Sequence, residues 1–104
     1  MSLRELKIQT GVVKRLYKEK QSYIKEREQQ IQRIERITAE GADSYDIAKQ
    51  NEVLEETLQM IPDTQTRLEA ARRKLQGLID NQGSSWAETE ELRQATDILK
   101  DTTD

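Results

Sequence analysis

The stretch "MIPDTQTRLEAA", residues 60–71, contains the only proline of the 104-residue chain and decides how its second half folds. One line of apolar residues continues through this stretch at intervals of seven: Ile47, Leu54, Ile61, Leu68 and Leu75. A loop inserted at Pro62 would shift that register, so the spacing predicts helix on both sides of a kink. The alternative is that a new helix begins with Pro62 at its first position, where a missing N–H is tolerated.

Further heptad lines accompany this one in both halves of the chain. In the second half, we expect a companion line that begins four residues further on: Asn51, Leu58, Gln65, Arg72 and Ile79. In the first half, one line is Leu3, Thr10, Tyr17, Ile24, Ile31 and Thr38, and the adjoining line is Leu6, Val13, Lys20, Arg27 and Ile34. Both halves therefore predict long amphipathic helices that pack along narrow seams.

Capping and turn residues set the limits of the helices. Ser2 and Glu5 have the spacing of a capping box at the start of the first helix. Gly41 can supply the turn that follows it, and Asp43 or Ser44 can cap the second helix. The predicted helices are, in order, about residues 3–39, 44–80 and 85–101.

The start of the third helix is predicted from a repeated signal. Ser85 and Glu88 again have capping-box spacing, after a loop that contains Gly83. Trp86 would then lie in the first turn of this helix and cap the end of the core. The last residues, "KDTTD" at 100–104, are expected to fray.

These elements predict an all-α fold, an antiparallel three-helix bundle that forms one domain over residues 1–104. Two helices of about 36 residues would span about 54 Å each, whereas a third of about 17 residues covers only about 26 Å. Because short connections make successive helices antiparallel, the third should lie beside the N-terminal half of the first and the C-terminal half of the second. The other end of the hairpin, residues 31–54, should be thin and incompletely covered.

The residue inventory argues against catalysis. The chain has no Cys and no His, which removes thiolate nucleophiles, the usual zinc ligands and the commonest general acid-base group. It has no phosphate-binding glycine loop, and the acidic group Glu52, Glu55 and Glu56 fits a solvated helix face. We therefore expect no enzymatic activity, no cofactor and no bound metal.

Charge and hydropathy restrict the choice of partners. The net charge is −3, with ten Lys/Arg against six Asp/Glu in residues 1–40 and two against six in residues 83–104. The basic excess can meet an acidic partner or balance the acidic end within the fold, and it is too small for a typical nucleic-acid-binding domain. With no apolar run of membrane-spanning length and no evident targeting segment, a cytosolic protein is expected.

Gly11 is costly in the predicted first helix, by about 1 kcal/mol relative to Ala. Close backbone approach would compensate, either by the third helix or by a partner. The neighbouring stretch "KRLYKEK", residues 14–20, interleaves basic and apolar residues, which an amphipathic bundle helix requires in any case.

Three stretches resemble the tubulin-binding cofactor A family: "TGVVKRLYKE" at 10–19, "YDIAKQNEVLEE" at 45–56 and "MIPDTQTRLEAA" at 60–71. Their order and spacing match the family as well. The resemblance implies a three-helix bundle that holds quasi-native β-tubulin after its release from the chaperonin and before it pairs with α-tubulin, without hydrolysing nucleotide. It also implies a cytoplasmic, cytoskeleton-associated protein, with other tubulin-folding cofactors as further candidate partners.

The resemblance also nominates residues for contact with tubulin. Polar or charged positions that match the family motifs are the candidates: Lys14, Arg15, Lys18, Glu19, Tyr45, Asp63, Arg67 and Glu69. Mixed charge suits a nearly folded client better than an apolar groove would. The third helix and Trp86 depart from the family pattern, so no contact is assigned to them.

A second hypothesis, from a different class, is a coiled-coil structural or scaffold module. Such a module would homodimerise through the thin end of the hairpin, and the apolar residues available there are Ile31, Ile34, Ile47 and Leu54. The sequence is compatible with a monomer and with a homodimer.

Overall fold

The computed structural model describes residues 2–103, which form three α-helices. They are α1 (Leu3–Ala39), α2 (Ser44–Gln82) and α3 (Glu90–Asp101), with a short 3₁₀ helix at Gly83–Trp86. No strand occurs among the described residues, so the predicted all-α class with three helices is confirmed.

The chain divides into two compact units. Unit 1 combines the described parts of residues 1–18 and 65–104, and unit 2 is Glu19–Thr64. The single-domain organisation stays a prediction.

Pro62 lies inside α2, which continues without interruption from Ser44 to Gln82. The prediction of helix on both sides is confirmed, and the alternative that a new helix begins at Pro62 is wrong. Because proline has no N–H, the carbonyl of Leu58 loses its intrahelical donor. Leu58 lies on an exposed face of the helix, where water can bond to that carbonyl. The size of the kink stays a prediction.

The main heptad line of α2 is confirmed, and its companion line is wrong. Leu68 and Leu75 are fully buried, whereas Asn51 and Leu58 of the companion line are exposed. The companions that face inward lie three residues after the main line instead of four: Thr57, Thr64, Ala71 and Leu78 are buried, and Gln50 is half-buried. The apolar Leu58 and Ile79 suggested the wrong line, because the observed line carries two threonines and a glutamine.

In α1, the line through Leu6, Val13 and Lys20 is buried as predicted, and the other line is confirmed in part: Leu3, Thr10, Tyr17 and Ile24 are half-buried, but Ile31 and Thr38 are exposed. A further seam, which the sequence analysis missed, is Gln9, Leu16, Tyr23, Gln30 and Ile37. Its glutamines are polar residues that find partners on α2, one in each unit.

Those two glutamines bridge the helices within each unit. In unit 1, Gln9 Nε2 donates to the Ala71 carbonyl at 3.0 Å. In unit 2, Gln30 Nε2 donates to the Gln50 carbonyl and to Gln50 Oε1, both at 2.9 Å. A buried polar side chain is tolerated where it is hydrogen-bonded, which explains why the seams accept these residues.

The predicted caps around α1 and α2 are confirmed. Glu5 donates its backbone N–H to Ser2 Oγ at 3.3 Å, and Tyr45 donates its N–H to Asp43 Oδ1 at 3.0 Å. Between the helices, Gly41 has φ of 80°, and the Ala42 N–H bonds to the Ile37 carbonyl at 2.9 Å. A left-handed residue followed by this six-to-one bond is the Schellman ending of a helix, which favours glycine.

The predicted start of the third helix is wrong. The residues around Ser85 form the 3₁₀ helix, Glu88 has φ of 69°, and α3 begins only at Glu90. Thr89 is the cap, since its Oγ1 accepts the Leu92 N–H at 3.2 Å and donates to the Trp86 carbonyl at 2.6 Å. A second capping hydroxyl, on Thr89, lies close to the Ser85 signal, and the helix therefore starts five residues later than expected.

Unit 1 holds the apolar core. Its buried residues come from all three helices and the 3₁₀ segment: Leu6, Val13, Leu16, Leu68, Ala71, Leu75, Leu78, Trp86 and Ala95. Trp86 is 5% exposed, which confirms its predicted place in the core. The expected position of α3, beside the first half of α1 and the second half of α2, is confirmed by this cluster.

The end of α3 is held in place, so the expectation of fraying is wrong for residues 100–103. Thr102 is only 3% exposed and its Oγ1 donates to the Ile98 carbonyl at 2.7 Å. The Arg72 guanidinium donates to Thr102 Oγ1, to the Leu99 carbonyl and to Thr103 Oγ1 at 2.8–3.1 Å. Asp104 lies outside the described residues.

Unit 2 has almost no apolar core, as expected for the thin end of the hairpin. Within residues 19–64, all of which the structure describes, the buried side chains are Lys20, Thr57 and Thr64. Ile34, Ile47 and Leu54 are half-buried, and Ile31 and Val53 are exposed.

Thr64 gives a direct test of this polar seam. Its side chain is fully buried, and its Oγ1 has no hydrogen-bond partner among the described residues. A buried hydroxyl without a partner destabilises the folded state, so Thr64→Val should raise the free energy of unfolding by about 1 kcal/mol. Urea denaturation followed by circular dichroism measures this change. Thr57→Val is the matched control, since Thr57 Oγ1 donates to the Val53 carbonyl at 3.2 Å and its loss should not stabilise.

Candidate partner-binding surface

The eight candidate contact residues lie in both units. In unit 1 are Lys14, Arg15, Lys18, Arg67 and Glu69, and in unit 2 are Glu19, Tyr45 and Asp63. All are exposed except Glu19, which is half-buried. The structure brings only some of them together.

Three of the candidates belong to one face of α1. At 100° per residue, Lys14, Arg15 and Lys18 fall on the side of the helix opposite the buried Leu6 and Val13. The same arc of about 120° also holds four residues that the sequence analysis did not nominate. We call the full set the basic stripe: Arg4, Lys7, Ile8, Gly11, Lys14, Arg15 and Lys18.

The basic stripe carries five positive charges and no carboxylate. None of its cations forms an ion pair or a side-chain hydrogen bond with any other residue in 2–103. Lys14 and Lys18 are four residues apart, a like-charge spacing that costs a helix about 0.2 to 0.5 kcal/mol. Sequence spacing alone could have found Arg4 and Lys7, which continue the line of Lys14 and Lys18 at helical intervals.

A shallow groove of about 150 Å³ lies beside the stripe in unit 1. Ile8 forms one side, and Lys74 and Leu78 of α2 form the other, with Glu5 and Gln9 completing the lining. Ile8 is 55% exposed, so much of its apolar side chain is open to solvent. This edge of the stripe therefore offers apolar contact next to positive charge.

Glu69 on α2 is paired within its own helix. Its Oε1 accepts from Gln65 Nε2 at 3.0 Å, and Arg73 Nη2 lies 4.0 Å from its Oε2. Such exposed pairs contribute little to stability. Arg67 lies on the exposed surface of the same helix.

The candidates of unit 2 do not form one site. Tyr45 is 64% exposed in the first turn of α2, with Lys49 Nζ 5.0 Å from its ring centroid. Asp63 lies eighteen residues further along the same helix, about 27 Å away at 1.5 Å per residue. A partner that touched both would have to extend along the helix.

Unit 1 also has an open depression of about 390 Å³ at the start of α3, lined by Glu90, Arg93 and Asp97 among others. Arg93 donates a hydrogen bond to the Glu90 carboxylate, and this bond, followed by the negative charge of Glu90, raises the pKa of the Arg93 guanidinium above its ordinary value. Both groups are exposed, so the pair adds little to stability.

The described residues are also compatible with neither a metal cluster nor a membrane-spanning helix. Among 2–103, no three His, Cys, Asp or Glu side chains are grouped so that they could hold a metal ion. None of the helices as described has the length and apolar character needed to cross a membrane.

These features define an all-α protein with charged, open helix faces, a class suited to binding other macromolecules. Comparison with known proteins gives the family. The sequence profile described as "Tubulin binding cofactor A" matches residues 1–99. The chain belongs to this family.

Individual relatives agree with the assignment. "Tubulin-specific chaperone A" of Homo sapiens is 50% identical over 97 residues, which are 93% of this chain and 89% of the human one. The structure of "human tubulin chaperone cofactor a" matches with a TM-score of 0.80 and 46% identity, covering 95% of both chains. The structure of tubulin folding cofactor A from Arabidopsis thaliana matches with a TM-score of 0.88 and 36% identity, covering 96% of this chain and 94% of that one.

Proposed function

We propose that this protein is a tubulin-folding chaperone that binds quasi-native β-tubulin after its release from the chaperonin and before assembly with α-tubulin. The observation that carries the proposal is the 50% identity to "Tubulin-specific chaperone A" over 93% of the chain. It acts in the cytoplasm, associated with the cytoskeleton, without catalysis or cofactor, and other tubulin-folding cofactors are further candidate partners.

The surface chemistry supports this function. The exposed helix faces carry mixed charge, and the groove between α1 and α2 is shallow in each unit. A client that is already nearly folded presents a polar surface, to which charged and rigid helix faces are complementary. An unfolded client would instead require a large apolar surface.

Size-exclusion chromatography of the purified protein mixed with dissociated αβ-tubulin tests the proposal. We expect β-tubulin to co-elute with the protein in a complex that is smaller than the αβ-tubulin dimer. We expect α-tubulin to be absent from that complex. The human relative serves as the positive control. If the human protein binds β-tubulin and this one does not, the proposed function is wrong; if both tubulins bind equally, the β-specific stage is wrong.

A scaffold that homodimerises is the second candidate, favoured by the exposed Ile31 and Val53 in unit 2. The other apolar residues considered for that interface, Ile34, Ile47 and Leu54, are half-buried within the single chain. Light scattering over a concentration series measures the mass. A dimer that dissociates on Ile31→Glu would support this candidate, and a monomer at all concentrations would exclude it.

A further inference from the structure

Gly11 lies in the middle of the basic stripe and is not required by the fold. It is exposed, and a Cβ placed on it would meet no atom within 4 Å. The prediction that α3 approaches Gly11 is therefore wrong. Glycine in a helix interior is destabilising, and no turn or positive φ needs it at this position. What its missing side chain provides is access to the helix backbone from outside.

Three cations surround the backbone that is exposed at Gly11. Lys7 precedes it by four residues, and Lys14 and Arg15 follow at three and four, so all three border the gap on the helix surface. They form no ion pair or side-chain hydrogen bond with any described residue, so no such close contact offsets their mutual repulsion. An acidic group seated over Gly11 would relieve that repulsion.

We propose that the basic stripe is the docking surface for an acidic polypeptide segment of the tubulin client, with the backbone of that segment over Gly11 and an apolar side chain against Ile8. The inference rests on the proposed function for the identity of the client. From Arg4 to Lys18 the stripe is about 21 Å long, at 1.5 Å per residue. A segment of that length with several carboxylates is complementary to it.

The chemistry favours a polypeptide over a nucleic acid. The stripe contains no aromatic residue on which a base could stack, and instead it offers an exposed isoleucine and a bare stretch of backbone. Those two features suit a protein segment that packs closely.

The first test is a charge reversal of the stripe. Lys7→Glu/Lys14→Glu should weaken tubulin binding by about tenfold or more, because two attractive contacts become repulsive. Arg33→Glu/Lys100→Glu makes the same change in net charge at exposed positions outside the stripe and should change the Kd by less than about twofold. Binding of the parent protein should weaken as NaCl rises from about 50 to 300 mM. Circular dichroism checks that all variants keep their helicity.

The second test uses a matched pair of glycines. Gly11→Ala and Gly77→Ala both add a methyl that meets no atom within 4 Å, so both should raise the urea midpoint. Only Gly11→Ala should weaken tubulin binding, by about threefold or more, because the methyl stands where the client backbone approaches. Equal binding by the parent and both alanine variants would contradict the close approach.

A labelled oligoglutamate peptide and an oligothymidine separate the possible failures. If the parent protein binds the peptide but not tubulin, and the stripe reversal abolishes peptide binding, the basic stripe stands as a docking surface for acidic polypeptides and the proposed function fails. If tubulin binds parent and both double variants alike, or if both double variants lose binding alike, the stripe is not the docking surface. If the oligothymidine binds the stripe more tightly than the peptide does, the polypeptide occupant is wrong.

Discussion

Trp86→Ala is expected to lower the free energy of unfolding by about 3 to 5 kcal/mol, the largest loss for any single side chain considered. Trp86 is only 5% exposed and belongs to the core cluster of unit 1. Its deletion would leave a cavity at the short 3₁₀ helix, which precedes α3. Because this segment is fixed by the Thr89 cap on one side and by α2 on the other, it cannot easily collapse to fill the space.

Guanidinium denaturation followed by circular dichroism at 222 nm measures the effect, since the variant has no tryptophan to report on. Ile8→Ala is the control, because Ile8 is an apolar side chain of the same unit that is 55% exposed. It should change stability by no more than about 0.5 kcal/mol. A loss below about 1 kcal/mol for Trp86→Ala would show that the indole is not part of the structural core.

The apolar pattern of the sequence was sufficient for the architecture. Leu54 and Leu68 stay in register on the two sides of Pro62, so a continuous α2 could be predicted from spacing alone. The length of α3 predicted which halves of the first two helices it would contact. Local signals at Ser2, Gly41 and Asp43 set helix ends correctly, because each cap or turn acts within a few residues.

Polar residues in the seams could not be predicted in the same way. Gln9 and Gln30 are buried or half-buried because a carbonyl on the opposite helix accepts their amide protons, a partner distant in sequence. The start of α3 was missed for a related reason. Ser85 and Thr89 both carry capping hydroxyls, and packing of Trp86 in the core leaves Thr89 as the residue that caps.

The residues of the candidate surface could also be predicted only in part. Family resemblance selected Lys14, Arg15 and Lys18, which do share one exposed face. It did not select Arg4 and Lys7, although helical spacing places them on the same arc. Resemblance also grouped Tyr45 with Asp63, two residues about 27 Å apart along α2. Motif matches identify positions, whereas a common surface requires the helix geometry.

Arg72→Met should lower the free energy of unfolding by about 2 kcal/mol, because a charged donor to three acceptors is lost. Arg72 Nε lies 3.0 Å from Thr102 Oγ1, and its Nη2 lies 2.8 Å from the Leu99 carbonyl and 3.1 Å from Thr103 Oγ1. A cation at the C-terminus of a helix is also favourable to the helix dipole. Methionine keeps most of the side-chain length, so the change mainly removes the hydrogen bonds.

Arg73→Met is the matched control for Arg72→Met. Arg73 is the next residue on the same helix, its side chain is 80% exposed, and its only ion pair among the described residues is with Glu69 at 4.0 Å. Its loss should change stability by no more than about 0.5 kcal/mol. Amide hydrogen exchange in the last turn of α3 should accelerate in the Arg72 variant alone, since the carbonyls and hydroxyls that Arg72 holds are there. Equal protection in both variants would mean that packing of Ile98 and Leu99 fixes this turn without Arg72.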